Sequence, residues 1–96
     1  MSFARIGIWQ GSSEELDRWV EAARERVKPN VSQQPGLTAA YWLMDRESGK
    51  GLTITIWKSK DAMDASEQFR QQSQASTSDA TGARVTTERF EVVDHL

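Results

Sequence analysis

No cysteine occurs in this sequence, and histidine occurs once, as His95. The first absence excludes disulfides, thiolate metal sites and a cysteine nucleophile, and it leans toward a cytoplasmic setting. A lone histidine outside any patterned segment reads as a solvated side chain rather than a ligand, so no metal site is expected. A surplus of basic charge is missing too. Twelve Lys and Arg against 14 Asp and Glu leave a formal charge of −2. The charges are mixed along the chain, no basic face can grip phosphates, and nucleic acid is not expected as a partner. No apolar run approaches the roughly 18 residues of a membrane span, and MSFARIGIW lacks the basic segment and long apolar stretch of a signal peptide. A soluble, cytoplasmic protein with no membrane partner is the expectation. Ninety-six residues imply one domain, 1–96, with a single core.

The stretch Gly51–Phe69, GLTITIWKSKDAMDASEQF, carries the plainest pattern. Leu52, Ile54 and Ile56 fall on one face of a strand and Thr53, Thr55 and Trp57 on the other, a repeat of two filled with β-branched and aromatic residues. Ser59 then offers a side-chain oxygen to the free N–H groups of a helix, and Asp61 places negative charge in its first turn. The strand therefore ends near Lys58 and a helix begins at once.

Earlier in the chain, Phe3–Trp9 reads as a strand with Ala4, Ile6 and Ile8 on one face and Phe3, Arg5, Gly7 and Trp9 on the other. Ser12 or Ser13 can cap a helix whose apolar stripe is Leu16, Trp19, Val20, Ala23 and Val27. Pro29 predicts a break or a kink, with the regular helix over about 13–28 and an irregular turn to Gln34. Pro35 and Gly36 precede a strand over Leu37–Met44, and 45–51 (DRESGKG) reads as a hairpin loop in which Gly49 and Gly51 are ordinary turn residues. In the second helix Ala62, Met63, Ser66 and Phe69 keep a loose helical period. From Gln71 to Thr81 the chain is polar, which predicts a frayed, mobile end. A last strand is expected over Ala83–Val93.

The order βαββαβ specifies an α+β, ferredoxin-like sandwich: a four-stranded antiparallel sheet with both helices on one face. The other face would then be bare. With Trp57 toward the helices, that face carries Leu52, Ile54 and Ile56, an apolar surface that a symmetric homodimer would cover.

The segment PGLTAAYWLMDRESGKGLTITIWKSKDAM, residues 35–63, followed by RFEVV, residues 89–93, resembles the antibiotic biosynthesis monooxygenase family of the dimeric α+β barrel superfamily. The resemblance follows the order of elements through essentially the whole chain, and its sharpest mark is the apolar strand ending in Trp57, Lys58 and Ser59. It implies paired sheets, a ligand cleft between sheet and helices, and oxidation of phenolic polyketides or quinols by molecular oxygen with no metal, flavin or other cofactor. It places Trp57, Thr53 and Thr55 on the cleft face, with Met63 and Phe69 from helix 2 and Trp19 from helix 1. At the positions of Thr53 and Met63, polyketide-oxidising relatives carry asparagine and tyrosine, and no catalytic base is evident here. A haem-degrading branch of the superfamily is excluded, because its asparagine, tryptophan and axial histidine match about Ala4, Ser66 and Ser76. Two readings follow: a cofactor-independent monooxygenase for a small hydroxyaromatic or quinol, or a non-catalytic dimeric module that binds a small apolar ligand or serves a structural role.

Overall fold

The computed structural model describes all residues, 1–96. Strand β1 (Phe3–Gln10) leads through helix α1 (Ser13–Ala22), a π-helical turn (Ala23–Val27) and helix α2 (Lys28–Val31) to the hairpin β2 (Leu37–Asp45) and β3 (Lys50–Trp57). Helices α3 (Lys60–Ala65) and α4 (Glu67–Thr81) then lead to β4 (Arg84–Glu91). The strands form one antiparallel sheet in the order β2-β3-β1-β4, the ferredoxin-like arrangement.

Register determines which residues share a face. Ile54 pairs with Ile6 and Tyr41, Leu52 with Ile8 and Leu43, and Ile56 with Ala4 and Ala39, so across β2, β3 and β1 one side of the sheet is aliphatic and aromatic, with Phe90, Glu88 and Thr86 of β4 at its edge. No helix covers it: Tyr41, Leu43 and Phe90 are 57, 46 and 48% exposed. The opposite face carries Arg5, Gly7 and Trp9 from β1 and Gly51, Thr53, Thr55 and Trp57 from β3, and the helices pack there.

Helix α1 begins as its sequence requires. Ser12 accepts a hydrogen bond from the Glu15 N–H at 3.2 Å while Glu15 Oε1 accepts from the Ser12 N–H at 2.8 Å, a reciprocal cap. Ser59 caps α3 in the expected way, accepting from the Ala62 N–H at 3.0 Å.

Three expectations need correction. The helix does not break at Pro29. It widens into a π turn just before it, with the Lys28 N–H bonded to the Ala23 carbonyl, and α2 then continues through the proline to Val31. The second helix is neither single nor short. It breaks at Ser66, whose hydroxyl donates to the Met63 carbonyl at 2.7 Å and so competes with the backbone pattern. Beyond that break α4 runs to Thr81, through the run read as frayed. Ser73, Thr77 and Thr81 recur every four residues, and Thr77 and Thr81 are buried. Polar bonds fasten the end: Arg18 donates to the Thr81 carbonyl at 3.2 Å and Ser78 Oγ donates to the Ala83 carbonyl at 2.7 Å. Finally, Gly51 is no loop residue. It is buried within β3, and an added Cβ would lie 2.9 Å from the Trp19 ring, so its bare backbone seats that indole on the sheet.

Candidate ligand cavity

Trp9 and Trp19 pack with ring centroids 6.2 Å apart beneath the helices. Beside them lies a cavity of about 60 Å³ between the sheet and the helices. Its aromatic walls are Trp9, Trp19, Trp42, Trp57 and Phe69, and the π turn contributes Ala23 and Val27. Thr53 and Thr55 project from β3 into the same space. Of the side chains expected at a cleft, the structure brings together Trp57, Thr53, Thr55, Trp19 and Phe69. Met63 does not line the cavity: its side chain is buried, 2% exposed, under the start of α3. Leu52, Ile54 and Ile56 stand on the far side of the sheet, as their register demands.

Arg5 was not anticipated. It sits on the apolar side of β1 between Phe3 and Gly7, 5% exposed. Its guanidinium donates to Ser66 Oγ at 3.1 Å, to the Met63 carbonyl at 2.9 Å and to Glu67 Oε2 at 2.8 Å. It also lies 5.6 Å from the centre of the Trp57 ring, within cation–π range. Trp57 in turn donates its indole N–H to Thr55 Oγ1 at 2.9 Å, which holds the ring against the cavity wall. The only sequence signal for Arg5 was its sharing a strand face with Gly7 and Trp9.

Burial lowers the pKa of Arg5, an effect that the Glu67 charge partly offsets. An arginine nevertheless remains charged at any physiological pH. For Glu67 burial pushes the carboxyl up, but the hydrogen bond from Arg70 and the charges of Arg5 and Arg70 outweigh it and hold the group below its usual value of 4.5. Asp64, paired with Arg89 and Lys60, is held low by those hydrogen bonds.

A folded-state pKa below the unfolded one contributes stability above the unfolded value and loses it as pH falls through the folded value. The thermal midpoint should therefore hold steady down to about pH 5 and decline below about 4.5, where the unfolded carboxyl begins to take up protons. Glu67→Gln should flatten part of that decline. Differential scanning fluorimetry across pH 3–7 checks it, and an unchanged acid slope in the variant would remove Glu67 from the account.

Residues 3–78 match the antibiotic biosynthesis monooxygenase family. The chain belongs to that family. Among curated proteins, it is 30% identical over 66 residues to the uncharacterised protein Rv2557 of Mycobacterium tuberculosis; the match spans 69% of this chain and 30% of that relative's length. Among solved structures, it resembles a mutant of SnoaB, a cofactor-independent oxygenase from Streptomyces nogalater, with a TM-score of 0.78 at 13% identity, covering 99% of this chain and 96% of that one. The monooxygenase ActVA-Orf6 of Streptomyces coelicolor, solved with nanaomycin D, superposes with a TM-score of 0.75 at 12% identity over 99% and 89% of the two chains. A dimeric ferredoxin-like protein from an uncultured marine organism gives 0.73 at 14% identity over 99% and 90%. At these identities the structural likenesses establish the family's fold. No helix here is long and apolar enough to cross a membrane.

Proposed function

We propose that this family member is a cofactor-independent monooxygenase of a small hydroxyaromatic or quinol, working as a homodimer paired through the uncovered sheet face. The observation that carries this reading is the cavity of four tryptophans and Phe69 between sheet and helices. Aromatic walls with a few placed polar groups suit a planar ring. SnoaB, a cofactor-independent oxygenase, supports the reaction type, and the nanaomycin D bound to ActVA-Orf6 supports a polycyclic aromatic ligand.

An electron-rich ring, once deprotonated, can itself deliver an electron to oxygen, so the protein needs only to bind the ring, exclude water and stabilise the anion. In the oxidation of an anthrone-type methylene, one oxygen atom becomes the new carbonyl and the other leaves as water. No carboxylate, histidine, lysine or tyrosine lines the cavity, so the substrate's proton passes to solvent rather than to a side chain there. The present volume is smaller than the ~150 Å³ apolar cavity that accepts benzene. A ring therefore enters with rotation of Phe69, which is half-buried and borders a second, outer hollow.

A second reading, a non-catalytic dimeric module for a small apolar ligand, is favoured by Thr53 and Met63 standing where polyketide-oxidising relatives carry asparagine and tyrosine. Oxygen uptake with a panel of quinols and anthrone-like phenols separates the two. Catalysed uptake supports the enzyme, whereas binding without uptake supports the module. In either case Phe69→Ala should weaken ligand affinity by roughly three- to tenfold, the worth of an aromatic contact. An affinity unchanged by that substitution would place the ligand elsewhere.

A further inference from the structure

We infer that the cavity contains a subsite for a ligand's anionic oxygen, built by the indole N–H of Trp9 and the amide NH₂ of Gln74 above the bare backbone of Gly7. This deepens the function proposed above and rests on it. Trp9 is 4% exposed, yet its Nε1 has no hydrogen-bond partner. A buried donor left without an acceptor has lost its hydration with nothing in exchange, so such a group calls for an occupant. A Cβ built on Gly7 would lie 3.3 Å from Trp9 Nε1 and 3.3 Å from Gln74 Nε2, a tight contact for both, so the absence of a side chain on Gly7 lets the two nitrogens lie side by side against the β1 backbone.

The orientation of Gln74 is set by its other atom. Gln74 Oε1 accepts from Arg70 Nη1 at 3.1 Å and from Thr87 Oγ1 at 3.1 Å, which turns the NH₂ end toward Gly7. Two further buried donors of the same cavity also lack partners, Arg5 Nε and Arg70 Nε. These two guanidiniums share one carboxylate, Glu67, which leaves the cluster with an excess of one positive charge. Two neighbouring donors over Gly7, a net positive charge from the guanidinium cluster lining the same cavity and no lining carboxylate favour oxygen that carries negative charge. A phenolate fits both this chemistry and the aromatic walls. The site then lowers the pKa of the bound phenol, which supplies the deprotonated ring that oxidation by oxygen requires without a side-chain base.

The test compares 4-nitrophenol with nitrobenzene, two rings of similar size of which only the first can become an oxyanion. Binding to the wild type should raise the phenolate absorbance of 4-nitrophenol at pH 6.5, and the phenolate should bind at least roughly tenfold more tightly than nitrobenzene. Trp9→Phe and Gln74→Leu should each cost the phenolate about tenfold more than they cost nitrobenzene, which loses only wall contact. Should either variant fail to fold, the wild type still decides: the ¹⁵N–¹H indole resonance of Trp9 should move well downfield with 4-nitrophenolate, as a new hydrogen bond requires, and show no such downfield shift with nitrobenzene. Equal affinity for the two rings, or an unmoved Trp9 resonance, overturns the subsite while leaving the aromatic cavity intact. Failure of both rings to bind overturns the cavity reading as well.

Discussion

Ile54→Asp should convert the proposed homodimer into a monomer of 10.8 kDa without unfolding the sheet. Ile54 lies between Ile6 and Tyr41 in the middle of the uncovered face, where Leu52 and Ile56 extend the same apolar row along β3. In a two-fold pairing each protomer presents the same patch to the other, so the substitution introduces a carboxylate from both sides. An unpaired charge at such a contact has no partner to offset its lost hydration. By comparison with broken buried ion pairs, about 3–5 kcal/mol is lost, or a factor of roughly 10² to 4 × 10³ in dissociation constant. In the separated chain the position faces water, so β3 keeps its ladder bonds to β1 and β2. Light scattering behind size exclusion should give twice the chain mass for the wild type and the chain mass for the variant. A wild type that is already monomeric at micromolar concentration would remove the dimer, and a variant that stays dimeric would move the contact to another surface.

The legible parts of this fold were those where one physical rule acted alone. Strand β3 follows a strict repeat of two and Ser59 supplies its successor's cap, so the passage from strand to helix was plain in the residue order. The bare face could be read for the same reason, since Leu52, Ile54 and Ile56 must share a side if Trp57 takes the other. Helix α4 was hidden because its buried residues are threonines: hydroxyls bonded locally, as Thr81 Oγ1 is to the Thr77 carbonyl at 2.7 Å, let a polar residue act as packing. That misreading also concealed Gln74, which lies within the run taken for a mobile tail and turns out to line the cavity. Arg5 was hidden for a different reason. A charged residue in a strand reads as solvent-facing, and only partners 58 to 62 positions away in sequence show that it is not.

Arg5→Leu should therefore be the most damaging single change on the helix-covered face. The guanidinium fork joins three otherwise separate parts: Ser66 at the helix break, the Met63 carbonyl at the end of α3, and Glu67 at the start of α4. It also covers the Trp57 ring. Removing it leaves Glu67 with Arg70 alone and leaves the buried Ser66 hydroxyl without its donor. Breaking a buried pair costs about 3–5 kcal/mol. Glu67 keeps 33% of its side-chain surface in water, which points to the low end, about 3. For a domain of this size that is a drop of roughly 15 °C in thermal midpoint. Arg5→Lys should recover less than half of the loss, because one ammonium cannot reproduce a planar fork that reaches a hydroxyl, a carbonyl and a carboxylate at once. Urea unfolding of the three proteins measures this directly. If Arg5→Leu stayed within 1 kcal/mol of the wild type, the buried ion pair would be energetically neutral here, and the retention of a charged residue against Trp57 would then have to be explained by ligand binding instead.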